Sequence, residues 1–141
     1  MTNFPFNVRV YGALSVLGHI MLSAESHGGR DFVKLPGGGL EFGEGLKDAL
    51  KREFLEETGL EVKVTAHLYT TDFFVVSAFN PKHQVISIYY QVELSNLMSA
   101  LPEVISREGK QHFTWVKQDE LEASHFTFPV DKHMVPLLRR L

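Results

Sequence analysis

The chain of 141 residues contains no cysteine. Disulfide staples and thiolate metal sites are therefore excluded, and the composition suits a reducing compartment such as the cytoplasm. An uninterrupted apolar run of the ~20 residues needed to span a bilayer is also missing, and the opening MTNFPFNVRV does not have the charged-then-apolar layout of a secretory leader. No stripe of lysine and arginine runs along the chain, so neither a membrane nor a nucleic-acid polymer is an expected partner. Repeats, low-complexity tracts and linkers are absent as well. What remains, at 44% hydrophobic, 22% charged and 11% aromatic, is the composition of one globular domain over residues 1–141. A cytoplasmic monomer or homodimer is expected, with the apolar residues 73–79 as the candidate dimer contact.

Charge is unevenly placed. Residues 41–61 hold seven acids (Glu41, Glu44, Asp48, Glu53, Glu56, Glu57, Glu61) against three bases (Lys47, Lys51, Arg52), a net of −4, while the whole chain carries −3. An anionic ligand can approach that segment only if cations neutralise both sides.

Hydrophobic periodicity predicts mixed elements. Residues 7–17 and 20–24 read as a hairpin turning near Gly18-His19, and residues 32–35 as a short strand stopped by Pro36. Residues 61–74 read as one long strand or two, with Val62, Val64, Ala66 and Leu68 alternating. Asn80-Pro81-Lys82-His83 is a turn, and 84–94 and 111–116 are strands. Residues 95–110 read as an ordered loop, 119–123 as one helical turn, and 130–141 as a helix with Met134, Leu137, Leu138 and Leu141 on its apolar side and Pro136 uncomfortable within it. Strands first and last, with helices between and after, suggest an α/β fold with a mixed β-sheet covered on both faces.

The most informative segment is GGLEFGEGLKDALKREFLEETGL. Gly59 provides the left-handed residue that closes a helix beginning near Glu44. Along that helix Glu53, Glu56 and Glu57, spaced i, i+3, i+4, continue the stripe of Leu46, Ala49 and Leu50. Lys47, Asp48 and Lys51 mark the solvated face, although Leu55 implies contact with a second layer there. A solvated acidic helix end fits badly, since negative charge at a C-terminus opposes the macrodipole by about 0.3–1 kcal/mol. Like charges at this spacing cost about 0.2–0.5 kcal/mol per pair. Bound Mg²⁺ or Mn²⁺ reverses the sign of both effects, because hard cations seek carboxylate and carbonyl oxygen.

Taken further, the spacing runs Gly38, five residues, Glu44, seven residues, then Arg52-Glu53-Phe54-Leu55-Glu56-Glu57-Thr58-Gly59-Leu60. This resembles the Nudix box, G-x5-E-x7-R-E-U-x-E-E-x-G-U, with U a bulky aliphatic residue. Every fixed position matches, at chance odds on the order of one in 10⁸ per starting position. Phe54 is an aromatic where the pattern prefers Leu, Ile or Val, which concerns packing rather than chemistry. Rival motifs fail on the same residues. A P-loop needs Lys and Ser or Thr after its last glycine, but Gly43 is followed by Glu44-Gly45, and Phe42 stands where a dinucleotide fingerprint needs its third glycine. Gly37-Gly38-Gly39 reads instead as a tight turn between strand and helix. His112-Phe113-Thr114-Trp115-Val116 followed by Asp119-Glu120-Leu121 looks like the family's final strand and turn.

The resemblance implies a Nudix-type α/β/α sandwich that hydrolyses a nucleoside diphosphate linked to another moiety, with Mg²⁺ or Mn²⁺ as cofactor and a small nucleotide as partner. The leading expectation is a nucleoside triphosphate, oxidised forms included, cleaved to monophosphate and pyrophosphate. ADP-ribose or nucleotide-sugar cleavage is the alternative reaction, and a non-catalytic nucleotide-binding module the alternative class. Glu53, Glu56 and Glu57 match metal ligands, joined by the carbonyl of Gly37. Glu53 is also a candidate base, as is the loop acid Glu108, with Glu103 its rival. Arg52 belongs to the catalytic group as the orienting partner of the carboxylates, with Asp48 competing for it. Gly38, Glu44 and Gly59 are structural box positions, Glu44 reading as a favourable helix-start charge.

No pair of the seven histidines has H-E-x-x-H spacing, so ordinary hydrogen-bonded roles are expected, with His83 and His125 as candidates for substrate contact. Base recognition falls on Phe128-Pro129-Val130-Asp131, where Asp131 reads either as a partner for a purine edge or as an ordinary helix N-terminal residue. Phe4, Phe6, Phe73 and Phe74 can stack on a base or fill a core.

Overall fold

The computed structural model describes residues 5–104 and 111–141. Strands β1 (Phe6–Val16) and β2 (His19–His27) form the expected hairpin, and its two connecting residues, Leu17 and Gly18, both have positive φ (49° and 76°). Two successive left-handed residues match the twist of the strands they join. The strands share only Ser15↔Ile20 and Val16↔His19 and then part. β1 continues in a parallel ladder with β6 (Gln84–Leu94), from Phe6↔Gln84 to Leu14↔Val92, and β6 pairs antiparallel with β5 (Val62–Thr70). β2 lies between β3 (Arg30–Lys34) and β7 (Gln111–Lys117), antiparallel to both. The result is a seven-stranded mixed sheet.

Alternation along the central strands feeds two cores. Val10 and Leu14 of β1, Met21 of β2 and Ile88 and Tyr90 of β6 pack with Ala49, Leu50 and Phe54 of helix α1 (Leu46–Thr58). Tyr11 and Ala13, Ile20 and Leu22, and Tyr89 pack instead with Val130, Met134 and Leu138 of helix α2 (Pro129–Leu138). Strands covered on both faces lose the polar half of the usual pattern, so they read as near-continuous apolar runs. The expected α/β/α sandwich is what forms. No helix among the described residues is long and apolar enough to cross a membrane.

Phe54 explains its own departure from the box. It is fully buried, and a Cβ added at Gly12 of β1 would stand 2.5 Å from its ring. A missing side chain on the strand thus makes room for an aromatic on the helix, whose burial contributes about 1.5–3 kcal/mol. Leu55, by contrast, is 48% exposed and joins neither core among the described residues.

Three other expectations are corrected. The glycines Gly37–Gly39 form a strand, β4, antiparallel to β1, rather than a tight turn. In β5 the register shifts between Val64 and Ala66 and again between His67 and Tyr69, so the alternation read across residues 62–68 is broken and Ala66 is exposed. The single turn expected at 119–123 is two 3-10 turns, Gln118–Glu120 and Ala123–His125. Pro136 does lie inside α2, on its exposed side, where water can satisfy the carbonyl it leaves free.

Candidate active site

Arg52 organises the acidic end of α1. Its Nε donates to Glu44 Oε2 at 2.9 Å and its Nη2 to Glu44 Oε1 at 2.7 Å, a two-pronged contact that matches guanidinium to carboxylate. Nη2 also donates to the Gly39 carbonyl at 3.1 Å, while Nη1 reaches Glu53 Oε1 at 3.1 Å and Glu56 Oε2 at 3.2 Å. Hydrogen bonds from Arg52 and from the Glu41 amide hold the Glu44 carboxyl down at about 2. The same Glu44 contact pushes the Arg52 value up. Glu44 stands one residue before the N-cap, Gly45, where it also anchors Arg52. Arg52 turns to Glu44 rather than to Asp48.

The glycine strand lets Glu53 approach. A Cβ on Gly38 would stand 2.6 Å from the Glu53 carboxylate, so that carboxylate lies directly against the β4 backbone. Gly37 sits at φ 149°, and a Cβ there would meet the Val10 carbonyl at 2.0 Å. Only glycine fits at Gly37, while a side chain at Gly38 would displace the Glu53 carboxylate from the strand. Gly59, at φ 74°, closes α1 by donating to the Leu55 carbonyl at 3.0 Å, as its box position requires.

Glu57 sits deeper. Burial, the first cause, and then the nearby Glu53 and Glu25 charges push its carboxyl up to about 7, opposed by Lys34 and by a hydrogen bond from Gln111. Among the described residues its Oε2 has no hydrogen-bond partner. Glu25, Lys34 and Gln111 escaped the sequence reading. Lys34 is 4% exposed; its Nζ lies 3.4 Å from Glu25 Oε1 and donates to the Gly37 carbonyl at 3.3 Å and the Leu35 carbonyl at 3.5 Å. Gln111 Nε2 donates to Glu25 Oε1 and, at 3.4 Å, to Ser23 Oγ. Strand register makes this cluster, since Ser23 pairs with Lys34 and Glu25 with Phe32 and Gln111. The one available signal was Lys34 sharing strand parity with Phe32, which marks an inward position.

These groups suit a divalent cation. Among the described residues no three Asp, Glu or His side chains already converge on one point. Arg52 holds Glu44, Glu53 and Glu56, and a seat would need the latter two to turn slightly from it. The unpartnered Oε2 of Glu57, close enough to the Glu53 and Glu25 carboxylates for their charges to raise it, is nevertheless a hard-oxygen donor that a cation would satisfy. Glu56, with 54% of its side chain exposed, is the outermost of the three acids. Glu108 lies outside the described residues; Glu103 is exposed.

A cavity of about 690 Å³ opens from Glu57, Glu25 and Lys34. β1 contributes Asn7, Arg9 and Tyr11, and Tyr89 and Asp131 line it as well. Asp131 does occupy the first turn of α2, but it is 3% exposed and accepts a 2.8 Å hydrogen bond from the Tyr89 hydroxyl. Burial pushes its carboxyl up to about 6, against the lowering effects of Tyr89 and Lys34. An ordinary N-terminal residue would face water. Phe32, Phe79 and Phe128 stack along one wall with centroids 5.4–6.3 Å apart. Phe73 and Phe74 line the cavity too, and Phe6 is 63% exposed. Phe4 lies outside the described residues. His83 bonds Asn80 and His125 bonds Glu122, both local contacts.

Residues 7–138 match the sequence profile of the NUDIX domain. The chain belongs to the Nudix family. Among its Nudix relatives is the nucleoside triphosphatase NudI of Escherichia fergusonii, 35% identical over 91 residues, 62% of each chain. Another is the 8-oxo-dGTP diphosphatase of Haemophilus influenzae, 34% identical over 101 residues, 70% of this chain and 66% of that one. The match therefore spans just under two thirds of the curated relatives' length. In structure the chain is similar to the Nudix-fold MutT protein from Methanosarcina mazei Go1, with TM-score 0.75 and 20% identity over 99% of this chain and 97% of that one.

Proposed function

We propose that the protein is a cytoplasmic, metal-dependent pyrophosphohydrolase that cleaves a nucleoside triphosphate, oxidised forms included, to monophosphate and pyrophosphate. The observation that carries this reading is the adjoining of two sites. A carboxylate cluster with an unpartnered Glu57 oxygen opens into a cavity that is also lined by aromatic faces and the Tyr89–Asp131 pair. A volume of about 690 Å³ suits a nucleotide-sized ligand. The names of the two sequence relatives agree in substrate class.

Glu53, Glu56, Glu57 and the Gly37 carbonyl would hold Mg²⁺ or Mn²⁺, which when bound neutralises polyphosphate charge and makes water easier to deprotonate. Arg52 gathers Glu53 and Glu56 at the end of the helix, from where a small turn away from the guanidinium would bring their oxygens to the ion. In the reaction the water oxygen bonds to phosphorus while the bridging P–O bond breaks, its electron pair leaving on pyrophosphate. Glu53, pinned between Arg52 and the glycine strand, is the carboxylate placed to take the water's proton.

The test is product release with Mg²⁺ over nucleoside triphosphates, their oxidised forms, ADP-ribose and dinucleoside polyphosphates. Pyrophosphate and monophosphate from a triphosphate are expected. Two monophosphates from ADP-ribose alone would replace the reading, and tight binding without release would mark a binding module.

Asp131 reads the base edge in this account, accepting a hydrogen bond that Asn presents differently. Asp131→Asn is expected to raise KM at least tenfold, about 1.4 kcal/mol, with kcat changed less than threefold. An unchanged KM on the preferred triphosphate would return Asp131 to a packing role.

A further inference from the structure

The cavity floor contains a cation that the box does not supply. Lys34 is almost wholly buried, and besides the neighbouring Leu35 carbonyl it faces groups from five other elements: Glu25 from β2, the Gly37 carbonyl from β4, the Tyr11 ring from β1, and, at longer electrostatic range, Glu57 from α1 and Asp131 from α2. Its Nζ donates to the Gly37 carbonyl at 3.3 Å, the backbone oxygen assigned above to the divalent ion. An ammonium and a divalent ion cannot share that oxygen without strong repulsion in a partly dry site. One of the two must leave.

Lys34 has somewhere to go. Its Nζ already lies 5.2 Å from the centroid of Tyr11, on the cavity side, and its four-carbon stem can swing the charge from the carboxylates toward Asp131 and the space where a polyphosphate would lie. We infer that Lys34 is a resident cation, holding the Gly37 carbonyl and Glu25 while no metal is present and ceding that place when a divalent ion enters. This rests on the reading of the box carboxylates as a metal site. The consequence is that the ion alone binds weakly. A nucleotide, by giving the displaced ammonium a phosphate to contact, strengthens metal binding, and the metal strengthens nucleotide binding by the same factor.

The experiment is calorimetric titration of Mn²⁺ into nucleotide-free protein. Lys34→Met keeps the length and apolar stem without the charge, and is expected to bind Mn²⁺ at least fivefold more tightly than wild type, while Lys34→Arg stays within twofold of it. Equal or weaker binding by Lys34→Met overturns the inference while the metal site stands. No binding by wild type or either variant, even with a non-hydrolysable triphosphate present, removes the metal site and the inference with it. Should Lys34→Met fail to fold, as judged by its melting curve, wild-type NMR decides. Nuclear Overhauser contacts between the Lys34 ε-methylene and the Gly37 α-protons are expected without metal and lost with saturating Mg²⁺; their persistence overturns the inference.

Discussion

Replacing Glu57 by glutamine is expected to lower turnover by about a thousandfold or more, roughly 4 kcal/mol of transition-state stabilisation, while the protein stays folded. Glutamine preserves shape and an acceptor for Gln111 but removes the charge that would hold a cation. Wild-type rates in the variant would take Glu57 out of the mechanism.

Stability without metal should move the other way. The Glu57 carboxyl is raised in the fold from its ordinary 4.5 to about 7, chiefly by burial, so the folded state prefers the protonated form. Its favourable contribution is complete below about 4.5 and is lost as pH rises through about 7. At pH 8 metal-free Glu57→Gln should therefore melt above wild type, by on the order of 2 kcal/mol or several degrees, and at pH 4 the two should coincide. Melting curves at both values with chelator present provide the check. A variant less stable than wild type at pH 8 would mean that the buried charge is already compensated.

Gly37→Ala should be the most damaging single methyl group. The added Cβ would stand 2.0 Å from the Val10 carbonyl and 2.8 Å from the Tyr11 Cα, both backbone, at a φ of +149°. Neither neighbour can rotate away, so β4 must lift off β1, taking with it the Gly38 surface on which Glu53 rests. A loss of about 3 kcal/mol or more is expected, read as a lower denaturant midpoint, with activity lost in the fraction that remains folded. Gly18→Ala makes the natural control, because Gly18 also has positive φ (+76°) but nothing within 4 Å of its Cβ. That variant should lose only about 1 kcal/mol. If the two fell equally, the close approach of β4 to β1 would not matter energetically.

How much of this was readable beforehand depends on where the information lies. The box is a single stretch of sequence whose charged end lies on one helix, so Arg52, Glu53, Glu56 and Glu57 could be found by spacing. The strand at 84–94 was equally legible, because a long β-branched and aromatic run has few alternatives. β4 was not, since three glycines carry no side-chain pattern and are held by the neighbour they press against. The bulges of β5 were hidden for a similar reason, a shift in pairing leaving no mark in composition. Glu25 and Gln111 were invisible one at a time, and Lys34 showed only through its strand parity with Phe32. A lone charge on a strand looks solvated until antiparallel register places its partner opposite. Asp131 fell between two correct facts: it begins a helix, and it is buried against Tyr89.

The early parting of β1 and β2 has one more consequence. Joined at the hairpin by two residue pairs, they diverge, and both line the cavity, with Arg9 and Tyr11 from one strand and Glu25 and His27 from the other. The left-handed Leu17-Gly18 corner from which they diverge therefore helps to set how far apart those two walls stand.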